Sequence, residues 1–330
     1  MKTEFQMSIL DSGVGIIGLG KYIPKNVVTN ENLAGRLNVA SEWILKGTGI
    51  KSRYFVNGEE SASWISAKAS KQALERAGVS VEDISLVIGC TFSGDYVFPA
   101  MACKVQDLLG AKQAGAFDLS AGSTGFQIAV SLASDRLRCD STLQHILIVG
   151  TAVQSQFLDW NDPKVSILFG DGSGAAILSR VPKGYGALAS EVFCDSKAFE
   201  AVRLKKCGTN GAERPYIEMD GMAVGREFLK HQPLVIDRAL KKAGLGISNV
   251  DLFIFHQANL RLIQLLMERM KLPMTKTYTN VDRIGNTSDA SLPIALCEAS
   301  EEGLIKRDQI VVISGVGAGC TFGATVFKWY

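Results

Sequence analysis

The chain has 330 residues, of which 47% are hydrophobic and 21% charged, and a formal net charge of +2. That length permits a large core in one or two domains, and that balance excludes a disordered chain. So small a net charge gives no reason to expect nucleic acid as a partner. No apolar run approaches the roughly 18 residues of a membrane helix. Residues 1–4, Met-Lys-Thr-Glu, lead on without the apolar stretch of a signal peptide. Seven cysteines are scattered, with no Cys-x-x-Cys pair. Free thiols in a reducing compartment, the cytoplasm, are therefore expected, with no metal site.

In chain order, the first strong signal spans residues 73–90. A helix end stops at Gly78, a turn follows, and a short apolar run then reads as a strand buried on both faces. Residues 118–126 open a helix that continues to Leu137, and strands are predicted over 145–150 and 174–178. Residues 182–214 read as a polar, loop-rich bridge. Residues 239–256 then repeat the first signal without a gap: helix end, stop at Gly244, turn, buried strand. Residues 260–266 form a Leu/Ile-patterned helix, 282–288 open another, and 309–315 form a strand. A Gly-rich turn follows at 315–319.

A repeat of well over a hundred residues means a duplicated domain rather than a solenoid. Alternating strands and helices argue for an α/β fold. The expected division is 1–180 and 181–330. Cys90 and His256 end equivalent strands, and ligands of α/β sheets gather beyond the carboxyl ends of strands.

Three polar residues stand out, each with an ordinary alternative. Ser123 precedes a helix, where backbone amides and the dipole favour developing negative charge, yet serine is also a common helix cap. His256, one of three histidines with His145 and His231, sits in a polar cluster between strand and helix. It could equally be a satisfied structural histidine. Asn286 lies in Gly-Asn-Thr-Ser, a sequence that also suits a turn.

Residues 116–126, Ala-Phe-Asp-Leu-Ser-Ala-Gly-Ser-Thr-Gly-Phe, resemble the nucleophile motif of the β-ketoacyl-acyl-carrier-protein synthase III family, in which position 123 is normally cysteine. Residues 256–261, His-Gln-Ala-Asn-Leu-Arg, and 282–288, Asp-Arg-Ile-Gly-Asn-Thr-Ser, resemble the motifs carrying that family's histidine and asparagine. The resemblance implies a thiolase-like fold of five layers, αβαβα, made from two duplicated halves. It implies acyl transfer from an acyl thioester, bound to coenzyme A or an acyl carrier protein, to position 123. A decarboxylative condensation with a malonyl-type thioester would follow. His256 and Asn286 would donate hydrogen bonds to the malonyl carbonyl, and the amides of Ser123 and Ala318 would form an oxyanion hole. Trp43, Phe98, Asn259, Arg261 and Val316 would contact substrate, Phe98 from across a homodimer. Neither cofactor nor metal is implied.

Three positions depart from the pattern. The clamp arginine expected near Trp43 is Gly47, with Lys46 and Lys51 close by, and a second basic clamp position reads Asp-Pro-Lys at 162–164. Arg261 matches a basic residue at the tunnel mouth; with Arg269 and Lys271 it could face an acidic carrier protein, or all three could be solvated helix charges. Ser123 is the major departure, because a hydroxyl needs an adjacent base where a thiol does not. It reads as a deliberate cysteine-to-serine trap, as a natural serine variant in fatty acid, polyketide or other secondary metabolism, or as a mark of a non-catalytic acyl-binding subunit of a heterodimer. Acyl transfer to oxygen or nitrogen without decarboxylation is a further alternative.

Overall fold

A computed structural model describes residues 12–205 and 215–330. The expectation for residues 1–4 and the end of the expected 182–214 bridge lie outside the described residues.

The first sheet uses β1 (Gly13–Tyr22), β4 (Ile84–Cys90), β5 (Gly115–Leu119), β6 (His145–Ala152) and β7 (Gly172–Val181) in the order β1-β7-β6-β4-β5. The second uses β8 (Gly186–Cys194), β11 (Leu252–Phe255), β12 (Thr277–Tyr278), β13 (Ile310–Gly317) and β14 (Thr321–Lys328) in the order β12-β11-β13-β14-β8. Read from the opposite edge, the second order repeats the first. The directions repeat too: β4 is parallel to β5 and β6, and β7 is antiparallel to β6 and β1. Likewise β11 is parallel to β12 and β13, and β14 is antiparallel to β13 and β8. Two small ribbons complete the strands: β2 (Asn26–Thr29) with β3 (Ser52–Phe55), and β9 (Val202–Leu204) with β10 (Ile217–Met219).

The helices fill three layers. After β1 and β2 come α1 (Asn30–Leu37) and α2 (Ser41–Thr48). Then α3 (Ala62–Ala77) and α4 (Met101–Leu109) cover its outer face. The long α5 (Gly125–Cys139) lies between the sheets, and α6 (Pro163–Ser166) is a single turn. On the outer face of the second sheet lie α7 (Gly221–Lys242) and α8 (Leu260–Arg269). After the short α9 (Val281–Ile284), α10 (Ser291–Glu301) joins α5 in the central layer. This is the expected αβαβα stack. In the middle layer nine of the eleven α10 residues are buried, as a helix held between two sheets requires, with Ser291 and Glu298 among them.

Sequence features account for the stops. Gly78 closes α3 at φ 63°, and Gly244 follows α7 at φ 70°, the left-handed conformation that glycine takes without a Cβ penalty. The buried-strand expectation holds for all four β11 residues and for five of the seven β4 residues, Ser85 and Leu86 being partly exposed. The bridge over 182–214 is corrected: it contains the nine-residue β8, edge strand of the second sheet. The Gly-rich turn is also shorter than expected, because residues 315–317 belong to β13. The six described cysteines are free. Among the described residues, no helix is long and apolar enough to cross a membrane.

Candidate active site

Three of the sequence-selected residues converge. Ser123 lies on a tight turn, Gly122–Thr124, that runs straight into α5. The Thr124 hydroxyl is 2.6 Å from the Ala121 carbonyl and 2.6 Å from Thr321 Oγ1, which pins the turn to the start of β14. Two glycines let the backbones meet there. A Cβ on Gly122, at φ 53°, would sit 2.8 Å from the Ala318 nitrogen, and one on Gly317 would sit 3.0 Å from the Ser123 nitrogen. The two amides expected to hold an oxyanion are therefore close neighbours.

His256 follows β11 directly and is 4% exposed. Its Nδ1 lies 2.6 Å from the Ser291 hydroxyl at the start of α10, and that hydroxyl also accepts the Gln257 N–H at 3.3 Å. In the tautomer in which the Ser291 hydroxyl donates to Nδ1, the ring proton lies on Nε2. Burial pushes the imidazole down to about 3, so the ring stays neutral at ordinary pH. It is a neutral ring, not a cation, and its Nε2 is a donor in the tautomer with Nδ1 accepting from Ser291.

Asn286 is held from several directions. Its N–H donates to the Leu168 carbonyl at 2.9 Å, and its own carbonyl accepts from Gly170 N–H and Gln154 Nε2, each at 2.9 Å. Its Oδ1 accepts the Ser288 N–H at 2.9 Å. With Oδ1 occupied, the amide NH2 is the group left to face a substrate. Gln257, fully buried, ties the His256 and Asn286 segments together. Its Oε1 accepts from the N–H groups of Asn280 and Val281, and its Nε2 donates to the Phe255 and Tyr278 carbonyls.

Gly285 permits this arrangement with φ 72°. A Cβ there would lie 2.9 Å from Arg53 Cβ, and Arg53 is fully buried with its guanidinium on Asn30 and the Ile167 carbonyl. Gly285→Ala should destabilise the fold by about 1–3 kcal/mol, the usual cost of such backbone strain. Chemical denaturation measures this, and an unchanged midpoint would show that the loop yields freely.

Ser123 stands where two cavities meet. One, of about 290 Å³, is lined by Ser123 together with Phe92, Phe169, Leu204, Ile217 and others, and is largely apolar. The other, of about 120 Å³, is lined by Ser123 with His256, Asn286, Asn259, Val316 and Ala318. Asn259 caps α8, accepting from the N–H groups of Arg261 and Leu262.

The remaining expected residues lie outside both cavities. Arg261 Nε donates to the Lys46 carbonyl at 3.2 Å and its Nη2 to the Leu45 carbonyl at 3.4 Å. Its charge faces the C-terminal end of α2, where a cation is favoured. Trp43, on α2, is half-exposed at 46%. Phe98 is 83% exposed on a loop with the exposed Tyr96 and Val97.

Sequence reasoning assigned no role to Ser288, Ser291, Gln154 or Gln257, although each fixes one of the three central groups. The available signal was a run of small polar residues at 287–291, directly before the apolar stretch of α10. The turn at 169–174, given no chemistry, behaves as a staple: the buried Asp171 carboxylate accepts from the N–H groups of Val56, Gln154 and Ser155. Its Phe169 also lines both cavities.

Comparison with known proteins gives a consistent family. Residues 117–196 match the model of 3-oxoacyl-[acyl-carrier-protein] synthase III, and residues 240–329 match the model of that enzyme's C-terminal part. The β-ketoacyl-[acyl-carrier-protein] synthase III 1 of Bacillus cereus is 37% identical over 96% of this chain and 99% of its own. The Clostridioides difficile β-ketoacyl-[acyl-carrier-protein] synthase III is 38% identical over 97% and 99%. Among solved structures, the Aquifex aeolicus 3-oxoacyl-[acyl-carrier-protein] synthase III superposes with a TM-score of 0.91 at 36% identity, covering 96% of this chain and 100% of that one. The priming β-ketosynthase of the R1128 polyketide pathway gives 0.90 at 30% identity, covering 96% of each.

Proposed function

Because the chain belongs to the 3-oxoacyl-[acyl-carrier-protein] synthase III family, we propose that it joins an acyl thioester to a malonyl-type thioester through an acyl group held on Ser123. The observation that carries this reading is the position of Ser123 at the junction of an apolar cavity and one furnished with two neutral donors. The apolar cavity suits the acyl chain. Attack by Ser123 Oγ on the thioester carbon would develop an oxyanion beside the amides of Ser123 and Ala318. The thiol then leaves, and the malonyl thioester enters the other cavity. Loss of carbon dioxide produces an enolate, which His256 Nε2–H and the Asn286 amide would stabilise as its charge appears. The enolate carbon attacks the acyl-serine carbonyl, the carbon–Oγ bond breaks to release the β-ketoacyl thioester, and the serine oxygen takes a proton from solvent to restore Ser123.

In this arrangement residues 1–180 supply the acyl acceptor and residues 181–330 the two donors. The thioesters are carried by coenzyme A or an acyl carrier protein, entering past Asn259, Val316 and the α2–α8 contact made by Arg261, with Trp43 beside the entrance. The free cysteines suit the cytoplasm. The exposed loop of Tyr96, Val97 and Phe98, beside the sheet edge formed by β5, suits the interface of a homodimer in which Phe98 reaches the partner's acyl cavity.

Acylation is tested by incubating the protein with acyl-coenzyme A and acyl-carrier thioesters and mapping the adduct by peptide mass spectrometry. The expected result is a mass gain on the peptide holding Ser123, absent from Ser123→Ala. An unlabelled Ser123 peptide, in this protein and in Ser123→Cys alike, would defeat the reading.

A further inference from the structure

A second convergence of chemistry-bearing side chains lies where the end of β8 meets the outer helix α7. Glu227 and His231 are four residues apart on α7, so they share one face, one turn apart. Asp195, directly after β8, meets them from the sheet. His231 Nε2 lies 3.1 Å from Asp195 Oδ2 and 3.3 Å from Glu227 Oε2. None of the three lines either cavity at Ser123. No spacing in the sequence announces the set, because its members come from two elements that only the fold brings together.

This is not a solvated surface cluster. His231 is 8% exposed, and its ring lies 5.1 Å from each of the Phe193 and Phe322 rings. The Asp195 and Glu227 side chains are 14% and 13% exposed. Each carboxylate has one oxygen tied and the other aimed inward. Asp195 Oδ1 accepts the Lys197 N–H at 3.1 Å, and Glu227 Oε1 accepts from Arg226 Nε at 3.3 Å. An ordinary histidine–carboxylate pair accounts for only one of the inward oxygens, because one Nε2–H serves one acceptor and Asp195 takes it. Glu227 Oε2 is left buried, with no hydrogen-bond partner among the described residues. Burying that oxygen beside a second carboxylate is unfavourable unless a cation completes the set. The Lys230 ammonium contributes part of that charge from 3.5 Å and 3.8 Å, on a side chain that is 55% exposed.

We propose that Asp195, Glu227 and His231 bind a divalent ion of the zinc class. Bonds of about 2.0–2.1 Å in a tetrahedral shell put neighbouring ligand atoms about 3.3–3.4 Å apart. The separations of 3.1 Å and 3.3 Å around His231 Nε2 are close to that spacing. An imidazole with two carboxylates suits zinc and its transition-metal neighbours, whereas magnesium and calcium take oxygen ligands. Three protein ligands leave the fourth position to water. Binding moves the proton of the neutral ring to Nδ1 and displaces the Lys230 ammonium into solvent. The ion also has a mechanical consequence. Asp195 and Cys320 exchange both backbone hydrogen bonds, at 3.0 Å and 3.1 Å. Cys320 stands two residues beyond Ala318, so the ion fastens α7 to the segment that brings the Ala318 amide to Ser123.

The test is titration of the full chain with Co²⁺, which stands in for Zn²⁺ and reports its ligands by its absorption spectrum. The first equivalent should give the visible bands of a four-coordinate nitrogen and oxygen site, with no thiolate charge-transfer band, and Zn²⁺ should displace it. His231→Gln and Glu227→Gln, each checked for folding by circular dichroism, should weaken binding more than about 100-fold, beyond the usual loss on removing an outer-shell partner. Lys230→Met, at an exposed side chain, should tighten binding at least about fivefold, the effect of removing one like charge some 4 Å from the ion. That variant keeps the test decisive if a ligand variant fails to fold. An unsubstituted chain that binds no Co²⁺ overturns the proposal. So does a first equivalent with a thiolate band, which marks an ion held by the exposed cysteines. Binding that persists in folded His231→Gln, or that Lys230→Met fails to tighten, overturns it as well. Acylation of Ser123 is independent of every one of these results.

Discussion

His256→Ala should reduce decarboxylation of a malonyl thioester by about 10²–10³-fold, the usual cost of removing one preorganised donor from a developing oxyanion. Asn286→Ala should cost a similar factor, and the double variant less than the product of the two, since in the proposed function both donors would serve one enolate. The cause is the arrangement of their other atoms. Ser291 holds His256 Nδ1, and the Ser288 N–H holds Asn286 Oδ1, so each side chain has only its donor left for substrate. The pH dependence follows from the same burial. Desolvation lowers the His256 value from 6.5 to about 3, so the ring is neutral above that and no charge change occurs between pH 6 and 8. Decarboxylation should therefore be flat across that window. A step near 6.5 would mean that the imidazole titrates as an exposed group and is not held as a neutral donor. The assay is carbon dioxide release from malonyl-coenzyme A with the acyl donor omitted.

Ser123→Cys should raise the rate of condensation at least about tenfold at neutral pH, because a thiol is more nucleophilic than a hydroxyl and partly ionised. The larger gain comes in the second half-reaction. An acyl-serine is an oxoester, less electrophilic towards the enolate than the acyl-thioester that cysteine forms. The geometry around position 123 tolerates the exchange, since the side chain faces two cavities rather than a packed core. Product formation from acyl-coenzyme A and malonyl-carrier thioester measures the effect. An unchanged or slower rate in a folded, acylated Ser123→Cys protein would mean that the site is adapted to oxygen throughout.

The duplicated α/β architecture was legible because its signals are local and physical. Gly78 and Gly244 stop their helices in left-handed conformations, and the apolar runs after them are long enough to be buried on both faces. Strand β8 was illegible for the complementary reason. It is an edge strand that mixes small, polar and large apolar residues, half-exposed along most of its length, and its pairing with β14 lies more than a hundred residues away. Ser123, His256 and Asn286 could be named from motifs, but the residues that aim them could not. Ser288 and Ser291 read as helix-start serines in any sequence; only the return of α10 beneath β11 and α5 brings them against His256 and Ser123. Arg261 is a further case. Its sequence context left open a charge facing a carrier protein and a solvated helix charge, and no motif announced that its guanidinium would lie on the carbonyls of Leu45 and Lys46.

The most direct test of the central claim, that Ser123 carries the acyl group between two half-reactions, is a chase of pre-acylated protein. Protein labelled from acyl-coenzyme A and freed of excess donor is mixed with malonyl-carrier thioester, and intact mass and product are followed together. The acyl mass on Ser123 should disappear at the rate at which β-ketoacyl thioester appears, and His256→Ala should leave the adduct in place. An adduct that persists in the unsubstituted Ser123 chain while malonyl thioester is consumed, or product that appears with no loss of adduct, would contradict it.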